Sequence, residues 1–150
     1  MSIPPIRLDA PPETLDDDPP LSSLMTHRLV GITPDADMHV ALRLLAASGV
    51  RHLPVLTDGR YLGLVCERDV VRHLAGPDAP LPTPVARLCR PAPVLGVRDR
   101  RSTAAAQMQA LDIDAVLVVE NGRLVGIVTA TDLVRSLAGP TRAEGDQAAP

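Results

Sequence analysis

GIVTATD, at Gly126–Asp132, has a near copy, GLVCERD, 63 positions earlier at Gly63–Asp69, and this pair of stretches shows how the chain is organised. In each copy a short apolar run is followed by a polar segment that ends with an aspartate. This pattern is typical of a buried strand that leads into a helix. The first turn of a helix presents unpaired N–H groups that suit phosphate, and a nearby carboxylate suits the hydroxyls of a ribose. Both stretches therefore predict a nucleotide-binding corner.

The similarity extends well beyond these corners. With a shift of 63 positions, residues 41–77 align with 104–140, and 14 of the 37 pairs are identical. Composition alone predicts roughly one identical pair in ten, so the chain is a tandem duplication. Because a unit of about 50 residues buries too little surface to be stable alone, we expect both copies to share one core. A pseudo-two-fold axis would then relate two clefts between the copies.

Each copy predicts the order β-α-β-β-α, and the α/β (α+β) fold class follows from it. Because a helix connects them, the first two strands of each copy should be parallel. The predicted elements of the first copy are a strand at 29–33, a helix at 38–48 between Asp37 and Gly49, a hairpin of 53–56 and 61–66 around Asp58-Gly59, and a helix at 68–74. Those of the second are a strand at 94–98, a hairpin of 115–119 and 124–129 around Asn121-Gly122, and a helix at 130–138.

Composition predicts the boundaries of the repeats. Proline, glycine and acidic residues without periodicity mark residues 1–20 and 139–150 as disordered tails, and four prolines mark 77–84 as a linker. The repeats are therefore expected at 21–76 and 85–138.

Composition also disfavours several classes of partner. The net charge is −3, which gives no overall attraction to nucleic acid or to an anionic membrane. Tyr61 is the single aromatic residue, so no platform for stacking bases can form, and a ligand's base would lie between aliphatic side chains. The sequence has neither a signal peptide pattern nor an apolar run of about 18 residues, which favours a cytoplasmic location.

The residue types for catalysis are sparse. The chain has no lysine, which excludes Schiff-base chemistry and a P-loop. His27, His39, His52 and His73 lack the spacing of metal ligands, so no metal site is predicted. Cys66 and Cys89, 23 positions apart, are expected to be small, partly buried residues. We therefore do not predict an enzyme.

Four features, in this order, resemble the cystathionine-β-synthase (CBS) domain, whose paired form is called a Bateman module. They are Leu24-Met25-Thr26, the helix with Val40-Ala41-Leu42, the strand Arg51-His52-Leu53-Pro54-Val55, and the Gly-h-h-Thr-x-x-Asp corner. The resemblance covers residues 21–138. It implies an adenine nucleotide or related adenosyl ligand in the clefts, with the corner aspartate on the ribose and the threonine near the phosphates.

In the family pattern, the corner of one copy faces the strands of the other. The resemblance thus implies one site of Thr129, Thr131 and Asp132 with Val50, Arg51, His52, Leu53 and Pro54. It implies another of Cys66, Arg68 and Asp69 with Ile113, Asp114, Ala115 and Val116. The second departs from the pattern, because Cys66 replaces the hydroxyl and Asp114 would repel phosphate, although Arg68 partly compensates. We expect tighter binding at the site that contains Asp132.

Thr129 and Asp132 also have nearly the spacing of a capping box, which stabilises a helix without any ligand. Cys66 cannot cap in that way, yet Asp69 is kept at the equivalent position, which favours a second role for the carboxylate.

The leading hypothesis is a stand-alone regulatory module, such as an energy sensor, that binds AMP, ADP, ATP or S-adenosylmethionine and acts on an unidentified effector protein. A homodimer is expected, because closed two-fold dimers are the commonest oligomers. The alternative is a structural dimerisation scaffold without a physiological ligand.

Overall fold

A computed structural model describes residues 18–77 and 82–138, which contain four helices and five strands. The helices are α1 Met38–Ser48, α2 Glu67–Ala75, α3 Arg101–Leu111 and α4 Ala130–Leu137. The strands are β1 His52–Thr57, β2 Arg60–Cys66, β3 Val94–Gly96, β4 Ala115–Glu120 and β5 Arg123–Thr129. Short 3₁₀ turns at Leu21–Ser23 and Val85–Leu88 precede α1 and β3. The mixed α/β class predicted from the duplication is confirmed.

The strands form two small sheets. β1 and β2 make an antiparallel hairpin, while β4 pairs in parallel with β3 and antiparallel with β5. At both hairpin turns the two central residues have positive φ (48° and 77° at Asp58-Gly59, 52° and 78° at Asn121-Gly122), as the tight primed turns require. The predicted hairpins and the parallel crossover of the second copy are confirmed.

One predicted strand was wrong. Of residues 29–33, Ile32 alone pairs with β1, in a parallel bridge to Val55. Gly31 and Pro34 flank it, and neither residue type favours a continuing strand. In the second copy the predicted strand 94–98 ends at Gly96, because the chain turns there and the Gly96 N–H donates to Asp99 Oδ2 (2.7 Å).

The core has three parts. One cluster lies under α1, β1, β2 and α2, and a second under α3, β4, β5 and α4. A third joins Leu64 of β2 to Ala115, Leu117 and Ile127 of β4 and β5. The two repeats therefore share apolar contacts, as the limited size of each repeat predicts.

The repeats also exchange their first segments, defined here as Leu21–Thr26 and Val85–Arg90. Leu21 is fully buried in the core cluster of the second repeat, and Val85 in that of the first. Thr26 exchanges two backbone hydrogen bonds with Ile127 of β5 (2.9 and 3.2 Å), and Arg90 exchanges two with Leu64 of β2 (both 2.9 Å). The sequence boundaries did not predict this exchange.

Residues 18–20 of the predicted N-terminal tail contact the second repeat. Asp18 accepts from the backbone N–H and the hydroxyl of Ser102 (2.8 and 2.6 Å), which attaches residue 18 to the first turn of α3. The rest of that tail (1–17), the predicted C-terminal tail (139–150) and residues 78–81 of the linker lie outside the described residues. Among the helices in the described ranges, none has the length and apolar character needed to cross a membrane.

Candidate functional site

A cavity of about 570 Å³, here called the large cleft, lies between the two repeats. Six of the eight residues predicted for the tighter site line it: Val50, Arg51, His52, Thr129, Thr131 and Asp132. Leu53 and Pro54 do not, because β1 begins at His52 and both of these residues are buried in the sheet. The corner of one repeat therefore faces the first strand of the other, as expected.

A second cavity of about 240 Å³, the small cleft, also lies between the repeats. Cys66, Arg68, Asp69, Ile113 and Asp114, all predicted for the weaker site, line it. The other two predicted residues, Ala115 and Val116, are fully buried, since β4 begins at Ala115. In both clefts the prediction therefore extended too far into the strand that follows the lining loop.

The corner of the second repeat has a capping box at the start of α4. Thr129 Oγ1 accepts from the Asp132 N–H (3.2 Å), and Asp132 Oδ2 accepts from the Thr129 N–H (2.9 Å). Arg135 Nη1 donates to the other carboxylate oxygen, Oδ1, at 3.2 Å. The carboxylate itself thus accepts two of these hydrogen bonds, one at each oxygen. Because each oxygen of a carboxylate has two acceptor positions, Asp132 can accept further hydrogen bonds from the cleft. The structural and ligand-binding explanations of Asp132 are thus compatible.

The corner of the first repeat is built differently. Cys66 stands at the N-cap of α2 without a side-chain capping bond, as the missing hydroxyl predicts. Burial raises the pKa of its thiol, which therefore stays protonated at neutral pH. Asp69 accepts from Arg90, Nε to Oδ2 at 2.9 Å and Nη2 to Oδ1 at 3.2 Å. The retention of Asp69 thus has a structural explanation that sequence analysis missed.

The difference between the clefts begins in the exchanged segments. Thr26 bridges Ile127 and Arg90 bridges Leu64, and Ile127 and Leu64 are equivalent in the two repeats. Thr26 and Arg90 therefore occupy equivalent positions, and each lines its own cleft. The long side chain of Arg90 extends to Asp69. The large cleft has the shorter Thr26 at the position equivalent to Arg90. The arginine therefore fills part of the small cleft.

The clefts also differ in charge. The large cleft has three arginines and two aspartates, which gives a formal charge of +1: Arg28, Arg51, Arg135, Asp114 and Asp132. The small cleft has two arginines and three aspartates, which gives −1: Arg68, Arg90, Asp69, Asp112 and Asp114. An anionic ligand is therefore favoured in the large cleft and disfavoured in the small one.

His52 and Asp114 separate the two clefts and line both of them. His52 Nε2 lies 3.0 Å from Asp114 Oδ1, so the pair joins the first repeat to the second. The family pattern places His52 in one cleft and Asp114 in the other, because it treats the clefts as independent.

Seven residues that line the large cleft were not predicted from the sequence: Thr26, Arg28, Ser48, Gly49, Ile127, Ala130 and Arg135. Arg135 is identical to Arg72 in the repeat alignment, and Thr26 belongs to the Met-Thr start, so each had a signal. Arg28 had none. Within residues 18–77 and 82–138, no group of three or more His, Cys, Asp or Glu side chains is placed to hold a metal ion.

The CBS domain family model matches residues 21–76 and 85–139. Two curated relatives carry no functional name. One, from Acidianus ambivalens, is 37% identical over 60 residues, which are 39% of this chain and 37% of that protein. The other, from Methanocaldococcus jannaschii, is 27% identical over 119 residues, which are 79% of this chain and 42% of that protein. The chain thus spans about two fifths of the length of these relatives.

Solved structures share the fold. An uncharacterized conserved protein from Pyrococcus horikoshii has a TM-score of 0.71 at 26% identity, covering 82% of this chain and 95% of that one. A CBS domain pair in complex with 5′-methylthioadenosine and S-adenosyl-L-methionine has a TM-score of 0.71 at 20% identity (81% and 98% covered). The CBS domain of a bacterial CNNM/CorC Mg²⁺ transporter in complex with ATP has a TM-score of 0.70 at 20% identity (81% and 89% covered).

Proposed function

This chain belongs to the CBS domain family, and we propose that it is a regulatory module that binds an adenine nucleotide or another adenosyl compound in its large cleft. One observation carries the proposal: the corner Thr129–Asp132 of the second repeat faces Val50–His52 of the first across a cavity of about 570 Å³. Two solved structures with this fold are complexes with adenosyl compounds, one with S-adenosyl-L-methionine and one with ATP, which supports the ligand class.

The lining of the large cleft suits the three parts of such a ligand. Asp132, with acceptor positions to spare, takes the ribose hydroxyls. The exposed guanidinium groups of Arg28 and Arg51 take the phosphates or another anionic group. Val50 and Ile127 offer aliphatic surface for the base.

The ligand acts by changing how the two repeats are arranged. Since it contacts both repeats, it stabilises whichever arrangement binds it more tightly, and the population shifts by that difference in affinity. The effector that responds is a separate protein or a second copy of this chain. In this proposal the small cleft, with its negative charge and its Arg90–Asp69 ion pair, binds more weakly.

The test is isothermal titration calorimetry of AMP, ADP, ATP and S-adenosylmethionine against the wild type and Asp132→Asn. The asparagine oxygen still accepts from the Thr129 N–H, so the helix cap is kept while the charge on the ribose hydrogen bonds is lost. Losing charge-assisted hydrogen bonds of about 1.5–3 kcal/mol weakens binding roughly 10- to 100-fold. Unchanged affinity in this variant rejects the ribose assignment.

Asp112→Asn is the matched control, because it makes the same charge change in a residue that lines the small cleft alone. Asp112 has a φ of 54°, a conformation that asparagine tolerates. The Asp112→Asn variant is expected to bind the ligand in the large cleft with an affinity within about twofold of the wild type. This change is well below the tenfold that one charge-assisted hydrogen bond contributes.

A dimerisation scaffold is the second candidate, and exposed apolar residues on α2 and α4 favour chain-to-chain packing. Val71 and Val134 are equivalent in the two repeats, and Val134 and Leu137 are 66% and 68% exposed. Light scattering of Leu137→Glu tests this surface, with the exposed Leu111→Glu on α3 as control. A dimer that only Leu137→Glu dissociates, together with no heat from any of the four ligands, would favour the scaffold over the regulatory module.

A further inference from the structure

A third concavity, of about 390 Å³, lies between α2 and the exchanged segment Val85–Arg90. It shares Asp69 and Arg90 with the small cleft, but Arg72, His73 and Arg87 line neither cleft. We call it the basic pocket, because three arginines and a histidine surround its single carboxylate.

The fold does not require this charge. In the second repeat the equivalents of Arg87, Arg90 and His73 are Ser23, Thr26 and Ser136, so only the equivalent of Arg72 is basic there. The same surface of the second repeat thus has one arginine for one aspartate and is formally neutral. The basic pocket carries a formal charge of +2 with His73 neutral, and its positive charge is specific to the first repeat.

Asp69 positions part of this charge without neutralising it. Both of its oxygens accept from Arg90, and Arg72 Nη1 lies 4.0 Å from Oδ1, so a single carboxylate holds two guanidinium groups. Arg87 projects from the 3₁₀ turn Val85–Leu88 and forms no ion pair with any carboxylate in the described ranges. His73 is oriented by a 3.2 Å contact between Nε2 and the Thr83 hydroxyl.

We infer that the basic pocket binds a phosphoryl dianion, either inorganic phosphate or a small phosphate ester. A dianion offsets the formal charge of +2, and planar guanidinium groups match its oxygens with paired hydrogen bonds. The donors surround one concavity instead of following a stripe, which favours a compact anion over an acidic peptide. The inference does not depend on the function proposed for the large cleft.

The test is a titration of the ¹⁵N-labelled full chain with sodium phosphate at pH 8, followed by amide chemical shifts at constant ionic strength. A second titration uses glycerol 3-phosphate, which separates free phosphate from an ester. Saturable shifts are expected at Arg72, His73 and Arg87–Arg90 with at least one of the two. Arg87→Ser, which installs the residue of the second repeat, should weaken binding about tenfold, the contribution of one charge-assisted hydrogen bond.

Arg123→Ser is the matched control, since Arg123 is an exposed arginine on the β4–β5 hairpin. It should bind phosphate as the wild type does. Three results would overturn the inference: no saturable shift up to about 50 mM of either anion, equal weakening by both variants, or tighter binding of a hexaglutamate peptide than of phosphate. Arg87 lines no cleft, so calorimetry at the large cleft distinguishes failure here from failure of the proposed function.

Discussion

Arg90 holds both carboxylate oxygens of Asp69, at 2.9 and 3.2 Å, whereas the equivalent Asp132 stands opposite Thr26, which leaves its cleft open. The two clefts also differ in volume by more than twofold, about 570 against 240 Å³. We expect this position in the exchanged segments to contribute to how much space each corner offers.

Arg90→Thr is expected to open the small cleft. It removes the guanidinium group and gives the first repeat the residue that the second repeat has at this position. Because the formal charge of the small cleft falls to −2 without Arg90, the titration uses S-adenosylmethionine, which has no phosphate. It should then show a second, weaker site, so that stoichiometry rises from one to two per chain. Arg123→Thr is the control for lost positive charge. A stoichiometry of one in Arg90→Thr, measured on folded protein, would show that Arg90 does not block the cleft.

Leu21→Ala is expected to destabilise the protein through the second repeat. Leu21 belongs by sequence to the first repeat, but its side chain is fully buried in the second repeat's core cluster, which also contains Val116 and Val128. Truncating a fully buried leucine lowers the free energy of unfolding by about 2–5 kcal/mol. Urea denaturation measures this loss. Leu62→Ala, at a leucine that is 46% exposed, should cost less than about 1 kcal/mol. Equal losses would contradict the exchange.

Gly63→Ala is expected to disturb the crossing of the second exchanged segment over β2. A Cβ at Gly63 would lie 2.2 Å from the Arg90 carbonyl oxygen, which accepts the Leu64 N–H, so the backbone itself would have to move. Overpacking of this kind costs about 1–3 kcal/mol in thermal or urea denaturation. Gly96→Ala is the control, because its nearest neighbour would be the Asp99 carboxylate at 3.7 Å, an ordinary contact. A larger loss for Gly96→Ala would refute this account.

Asp37 should contribute to stability in a pH-dependent way. The hydrogen bond from the His39 N–H, helped by one from Thr83, holds the pKa of Asp37 below its ordinary value of 3.8. A depressed folded-state pKa means that the stabilisation is complete above about 3.8 and disappears as pH falls through the lower, folded-state value. Asp37→Asn should therefore lower the melting temperature at pH 5–7 and differ less from the wild type near pH 3. A constant difference would contradict the ionic contribution, and Asp35→Asn controls for net charge.

Local signals predicted most of the fold. The Asp37 cap, the Asp58-Gly59 and Asn121-Gly122 turns and the Thr129–Asp132 capping box all appear where residue type and spacing placed them. Each depends on neighbours within about four positions, which is the range that periodicity and capping rules describe. The internal duplication then supplied the element order twice.

Long-range contacts were harder to predict. Leu21 enters the core of the second repeat, and Arg90 pairs with Asp69 of the first. Both residues lie in segments whose apolar pattern is compatible with packing against either repeat. Nothing in the periodicity of residues 21–26 indicates which core they enter. The strand predicted at 29–33 was too long for the same reason. Its single bridge, from Ile32 to Val55, depends on a distant strand and not on the sequence of the segment itself.

The candidate site was predicted by resemblance more than by spacing. The family pattern correctly joined Val50–His52 to Thr129–Asp132, while Leu53, Pro54, Ala115 and Val116 were included because the start of a strand is difficult to locate within two residues. That His52 and Asp114 line both clefts follows from how closely the repeats approach, which no one-dimensional pattern encodes.

The crossing of Leu21–Thr26 and Val85–Arg90 also limits how such a chain can arise and be divided. A cut anywhere between residues 77 and 84 would leave each fragment holding a piece of the other's interior and missing a piece of its own. During synthesis the earlier half cannot complete its interior until Val85 has left the ribosome. Each half alone would therefore lack a buried part of its core, so we expect the pair to be the unit that folds.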